Sequence, residues 1–163
     1  MMLDISKFSD KFDVRALGAG DVQAMCALAS GNPLFYQFTD SKCTKESFEA
    51  DLVATPPGKE LSDKYFVGFF SGGALVAMLD LVAGYPDKDT AYIGLFMIDS
   101  AYQGKGLGFS AVNHLCKYLK SVGFTKVRLA YETKNPQSSH FWHKCGFADL
   151  REAQKRTVAE KVL

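Results

Sequence analysis

Between Tyr65 and Ile98 the chain carries three apolar runs, Tyr65–Phe70, Ala74–Val82 and Ala91–Ile98, with very little between them. The first gap is Ser71-Gly72-Gly73 and the second is Gly84–Asp89, which contains Pro86. A parallel crossover needs a dozen or more residues, so neither gap holds one. Both gaps carry turn residues, and the three runs are expected to pair as an antiparallel meander. This argues against an all-parallel, doubly wound sheet.

Other elements follow from periodicity and punctuation. Phe12–Leu17 reads as a short first strand. Asp21 is placed to cap a helix ending near Ser30, with Val22, Met25, Cys26 and Ala29 on one face, and Gly31-Asn32-Pro33 breaks it. Leu34–Phe38 is aromatic and reads as irregular. Thr44 opens a second helix through a partial capping box, Thr-x-x-Ser, with Phe48, Leu52 and Val53 at helical spacing. After the meander, Leu107, Ala111, Leu115, Leu119 and Val122 form the stripe of a longer helix that stops at Gly123. Lys126–Tyr131 is a further strand, Pro136–Lys144 a short helix capped by Gly146, and Phe147–Leu163 two last strands around a charged turn. The expected order is β-α-α-β-β-β-α-β-α-β-β, in a single domain spanning 1–163.

The segment Gln103-Gly104-Lys105-Gly106-Leu107-Gly108 joins a strand to a helix. A helix N-terminus offers free N–H groups and a partial positive charge, and glycines clear the approach for an anion. The turn is therefore a candidate phosphate or pyrophosphate site, to which Lys105 adds a charge. A Gly-rich turn that only eases the chain into its helix is the plainer alternative. The P-loop pattern fails, because Lys105 is followed by Gly106 rather than Ser or Thr. Gly106–Ala111 does fit G-x-G-x-x-A, and Glu132 lies near the end of the next strand, as in dinucleotide sites. Too little chain follows to complete that fold.

Downstream lies Asn135-Pro136-Gln137-Ser138-Ser139-His140-Phe141-Trp142-His143-Lys144-Cys145-Gly146-Phe147. Together the two segments resemble the GNAT superfamily of N-acetyltransferases. The family's pyrophosphate motif, Gln/Arg-x-x-Gly-x-Gly/Ala, is matched by Gln103, Gly106 and Gly108. Its later motif is matched by Asn135, the pair Phe141-Trp142, and Gly146-Phe147. The resemblance is strongest over Ala91–Phe147. It implies an α/β (mixed α+β) fold, with a splayed, mostly antiparallel mixed sheet flanked by helices. Acetyl-CoA would lie in the V between Ala91–Ile98 and Lys126–Tyr131. Its pyrophosphate would rest on the amides of Gln103 to Gly108, among them Gly104, Lys105 and Leu107. Its pantetheine arm would pair with backbone near Met97 and Ile98, and Asn135 and Ser138 would contact it from the other side.

The resemblance further implies transfer of an acetyl group to a primary amine, on a small molecule or a peptide, by direct attack and without a metal. Such a site needs a neutral amine, a donor for the developing oxyanion and departure of the thiolate. Backbone N–H near Met97 and Ile98 is the candidate donor. Many family members place a Tyr acid where this chain has Trp142, whose indole N–H is no useful acid. Acid assistance is then weak, or comes from water or Tyr131. The family's acidic base is also missing from Ala91–Ile98. Asp80 is the next candidate, interrupting Met78-Leu79-Leu81-Val82, where a charge is costly unless paired or exposed. It either serves the amine or is a strand-end residue in solvent. Two other readings stand beside the enzyme: a CoA-binding sensor or interaction domain, and a nucleotide-dependent oxidoreductase.

Composition narrows the remaining classes. A formal net charge of +1 gives no electrostatic footprint for nucleic acid or an anionic membrane. No apolar run suits a membrane span or signal peptide, so a cytoplasmic location is the expectation. Cys26, Cys43, Cys116 and Cys145 show no C-x-x-C pair and read as reduced thiols. His140 and His143 lie one helical turn apart with no third metal ligand evident. A homodimer remains compatible with the sequence.

Overall fold

The computed structural model describes residues 1–163. Seven strands form one sheet: β1 (Asp13–Ala16), β2 (Lys64–Ser71), β3 (Ala74–Ala83), β4 (Thr90–Ile98), β5 (Lys126–Glu132), β6 (Ala148–Ala153) and β7 (Arg156–Val162). Their spatial order is β1-β2-β3-β4-β5-β7-β6, and only β4 and β5 run parallel. The meander forms as expected. Its first turn has positive φ at both Gly72 (56°) and Gly73 (81°), the geometry that joins two twisted strands with two residues.

Five helices flank the sheet: α1 (Val22–Ser30), α2 (Pro33–Gln37), α3 (Lys45–Val53), α4 (Leu107–Ser121) and α5 (Pro136–Lys144). Successive strand residues point to opposite faces, and the core divides accordingly. Leu79 and Leu81 of β3 pack with Val112, Leu115, Cys116 and Leu119 of α4 in the larger cluster. Met78 and Phe66 face the other way, toward Val22, Met25, Leu28 and Ala29 of α1 and Phe48 of α3. The middles of β2 and β3 are thus covered on both sides, which is why they read as continuous apolar runs.

Several expectations change in detail. Leu34–Phe38 is not irregular: Pro33–Gln37 forms a single helical turn, started by a proline whose missing N–H costs nothing at that position. Asp21 does not cap α1. It closes a preceding 3-10 turn, where its carboxylate accepts from the Gly18 N–H and from the Arg15 guanidinium, and the latter holds its carboxyl below the ordinary range. Leu28 replaces Cys26 on the buried face of α1. In α4 the buried stripe is Val112, Leu115, Cys116 and Leu119, with Ala111 and Val122 on its flanks. The N-terminal segment forms a 3-10 turn, Ile5–Phe8, and Phe8 wedges fully buried between Tyr65 and Tyr118. The Thr44–Ser47 box at α3 is reciprocal. All four cysteines are free; Cys116 and Cys145 are buried, Cys26 and Cys43 half-buried. No helix is long and apolar enough to cross a membrane.

Candidate active site

The parallel pairing of β4 and β5 lasts only from Thr90↔Lys126 to Ile93↔Leu129. Beyond it β4 continues to Ile98 and β5 to Glu132 with no partner between them. A register break between Asp80 and Leu81 leaves Gly94 as the extra residue of β4 at this point. The two strands splay, and a cavity of about 710 Å³ fills the opening. One end is walled by the Gln103–Gly108 turn and α5, the other by α2 and α3.

At the first end, Asp99 caps a short 3-10 turn by accepting from the Ala101 N–H. Gly104 and Gly106 have φ of 75° and 74°, and a β-carbon on either would meet nothing within 4 Å. The first bond of α4 runs from the Ser110 N–H to the Gly106 carbonyl, so the N–H groups of Leu107, Gly108 and Phe109 lack intrahelical acceptors. An open cradle at the N-terminus of a fifteen-residue helix suits a pyrophosphate. Lys105 is exposed, with its ammonium 6.0 Å from the Tyr102 ring centroid, and does not line the cavity.

The other motif residues have visible structural tasks. The Gln103 amide donates to the Ile98 carbonyl at 2.9 Å and to Asn32 Oδ1 at 2.5 Å. Asn32 donates to the same carbonyl at 3.2 Å. This knot ties the turn, the end of β4 and the α1–α2 corner together, and it occupies the Ile98 carbonyl. The Met97 side chain belongs to the core under α1, and the residue also borders the cavity. Asn135 is buried and accepts from the Gln137 and Ser138 N–H groups, capping α5. Ser138 lines the cavity beside it.

Trp142 is 7% exposed and contacts Phe96, Phe141 and Phe147 edge-on. Tyr131 borders the cavity, but its hydroxyl donates to Asp149 Oδ1 at 3.0 Å, an oxygen shared with His143 Nε2 at 2.9 Å. Burial, reinforced by Asp149, pushes the Tyr131 phenol above its ordinary value. Glu132 pairs with Arg156 at 3.0 Å, and both line the cavity. His140 and His143 are exposed, and no group of three or more His, Cys, Asp or Glu side chains converges as a metal site.

At the far end, Asp80 is neither at a strand end nor in bulk solvent. It lies within β3, with its side chain 14% exposed and its carboxylate at the cavity wall over Gly94. A β-carbon on Gly94 would lie 3.2 Å from Asp80 Oδ2. Both carboxylate oxygens accept from Lys64 Nζ, at 2.8 and 2.7 Å. Burial nevertheless outweighs Lys64 and raises the Asp80 carboxyl above its ordinary value. Asp51 of α3 also lines this end, and burial raises its carboxyl too. Aromatic rings of Phe35, Tyr36, Phe48 and Phe66 complete the wall. Lys64, Asp51 and Asn32 carried no motif signal in the sequence.

A sheet split between parallel strands, with a helix N-terminus at one end of the split and a buried carboxylate at the other, gives an α/β cleft suited to a transferase. Residues 30–147 match the acetyltransferase (GNAT) family, and the chain belongs to that family. Acyl transfer is its general activity. No curated protein matches the chain significantly in sequence. Its fold is similar to an acetyltransferase from Thermus thermophilus (TM-score 0.79, 21% identity, 93% of this chain and 97% of that one). It is similar to the PaiA N-acetyltransferase from Thermoplasma acidophilum in complex with coenzyme A (0.71, 18%, 94% and 99%). The ribosomal-protein-S5-alanine acetyltransferase from Vibrio fischeri is also similar (0.67, 16%, 94% and 94%).

Proposed function

We propose that residues 1–163 act as one acyltransferase domain that moves an acetyl group from acetyl-CoA to a primary amine by direct attack. The observation that carries this reading is the continuous cavity from the open amides of α4 to the Asp80 carboxylate. Pyrophosphate on Gly104–Gly108 would direct the rest of the cofactor along the unpaired edge of β4, toward Gly94. The acceptor would enter from the α2–α3 end, where Asp80 takes a proton from its ammonium. The C–N bond forms as the C–S bond breaks, the backbone N–H groups near Met97 and Ile98 receive the oxyanion, and the second amine proton passes to solvent or to the departing thiolate. The thiol has an ordinary pKa of roughly 8.5, so CoA leaves as thiolate without a strong acid. Trp142 serves as a wall, and Tyr131 is bound to Asp149 rather than free to protonate sulfur. That the Vibrio fischeri relative is a ribosomal-protein-S5-alanine acetyltransferase keeps peptide amines beside small amines as acceptors.

The test is thiol release from acetyl-CoA with a panel of primary amines and peptides carrying free N-termini. Amine-dependent release, abolished by Asp80→Asn, supports the reading. A thermal shift with acetyl-CoA but no amine-dependent release from any member would replace it with a CoA sensor. A shift with NAD(P) alone would favour an oxidoreductase.

A further inference from the structure

Asp80 is an unusual base for its surroundings, because it has the same cation on both of its oxygens. Lys64 is the first residue of β2, and its side chain is only 4% exposed. It is not part of the cavity wall. Its ammonium also lies 5.5 Å from the Phe66 ring centroid, within cation–π range. Gly94 removes the one side chain that would fill the space beside the carboxylate. We propose that Lys64 is a positioning residue, which pins the Asp80 carboxylate over Gly94 as an anion and leaves its cavity-facing lone pairs for the acceptor amine. The proposal rests on Asp80 being the base described above.

The physical case has two parts. A carboxylate has about four lone-pair directions, and Lys64 takes one on each oxygen, so directions toward the cavity remain. A mostly buried carboxyl with no cation beside it would keep its proton at neutral pH and could not accept another. Lys64 counters that without competing for the acceptor, since it stands behind the wall. The other charged group facing Asp80 is Asp51 of α3, whose negative charge works against ionisation. The residues of β4 opposite Asp80, Gly94 and Leu95, carry no charge. Removing Lys64 therefore leaves nothing on the neighbouring elements to hold the anion.

The experiment is a carbon-13 carboxyl titration of the full chain by NMR, with Asp80 assigned from Asp80→Asn. Lys64→Gln is expected to raise the Asp80 midpoint by about 1 unit or more, and Lys64→Arg to bring it back toward the native value. An unchanged midpoint in folded Lys64→Gln overturns the proposal. Should that variant not fold, the wild-type Lys64 ammonium signal decides: it must shift with the Asp80 midpoint, and an ammonium that ignores it overturns the coupling. With an amine found to release thiol, the acid limb of kcat/KM should move up with the NMR midpoint in Lys64→Gln, while the KM for acetyl-CoA stays constant. If Asp80→Asn keeps the native acid limb, the base reading fails. If Asp80→Asn abolishes release but Lys64→Gln leaves the acid limb in place, only the role of Lys64 fails.

Discussion

Gly108, in the first turn of α4, lies so near Phe141 of α5 that a β-carbon on it would sit 3.2 Å from the ring edge. Phe141 in turn stacks on Phe96 of β4, with centroids 6.0 Å apart and planes 12° apart. The two sequence motifs therefore meet physically, and the second glycine of the motif sets how closely α5 approaches the cleft. Gly108→Val should cost roughly 1–3 kcal/mol by overpacking. It should also raise the KM for acetyl-CoA. Combining it with Phe141→Leu should recover part of the stability loss in urea unfolding. Strictly additive losses in the double variant would show that the contact does not limit the approach.

Gly106 has a different reason to be glycine. Its surroundings are open, but its φ of 74° costs a side chain roughly 1–2 kcal/mol. Gly106→Val should lower acetyl-CoA affinity about tenfold or more, a loss near 1.4 kcal/mol. Gly72→Val is the control, since Gly72 also has positive φ and open space but lies in the β2–β3 turn. It should lose stability and keep affinity. Equal affinities for the two variants by calorimetry would detach the pyrophosphate from the α4 turn.

Trp142 is predicted to act by shape. Trp142→Phe should keep most of the turnover, whereas Trp142→Ala should cost roughly 3–5 kcal/mol of stability. Near-complete loss of turnover in Trp142→Phe, with acetyl-CoA affinity intact, would give the indole N–H a direct part in the chemistry.

Asp51 gives a pH test with a definite sign. Its folded carboxyl is raised from the ordinary value of 3.8, first by burial, with Lys64 acting the other way. Between 3.8 and the raised value the folded chain holds a proton that the unfolded chain has lost. The contribution of Asp51 to stability is therefore full below pH 3.8 and is lost as pH rises through the raised value. Relative to wild type, Asp51→Asn should be more stable at pH 7 than at about pH 3.5, below the ordinary value. Urea midpoints for both chains across that range would check it, and a constant difference would mean that Asp51 titrates as in water.

Much of this architecture is legible along the chain, because short-range chemistry encodes it. The Gly72-Gly73 turn, the Thr44 box, Gly123 and Gly146 after their helices, and the Gly-rich start of α4 each act within a few residues. Asp21 and Leu34–Phe38 are exceptions for a related reason. A 3-10 turn before α1, and a proline opening a single helical turn, use the same residues that mark an ordinary cap or a break. The cleft also follows partly from sequence, through the order of strands and the two motifs.

The acceptor end does not. If the Ser71↔Ala74 register ran unbroken down the hairpin, Tyr65 would stand opposite Asp80, and Lys64 would point to the other face. A bulge between Phe69 and Phe70 slips the pairing by one residue, sets Phe66 opposite Asp80, and brings Lys64 onto the same face as the carboxylate. One residue of slip exchanges the two faces of a strand, since side chains alternate. The sequence by itself determined the elements, their order and the Gly-rich turn that opens α4, which depend on neighbours in the chain. Only the tertiary structure decided that Asp80 is buried, paired and aimed into the cavity, because a bulge in one strand pair and a splay in another set those contacts together.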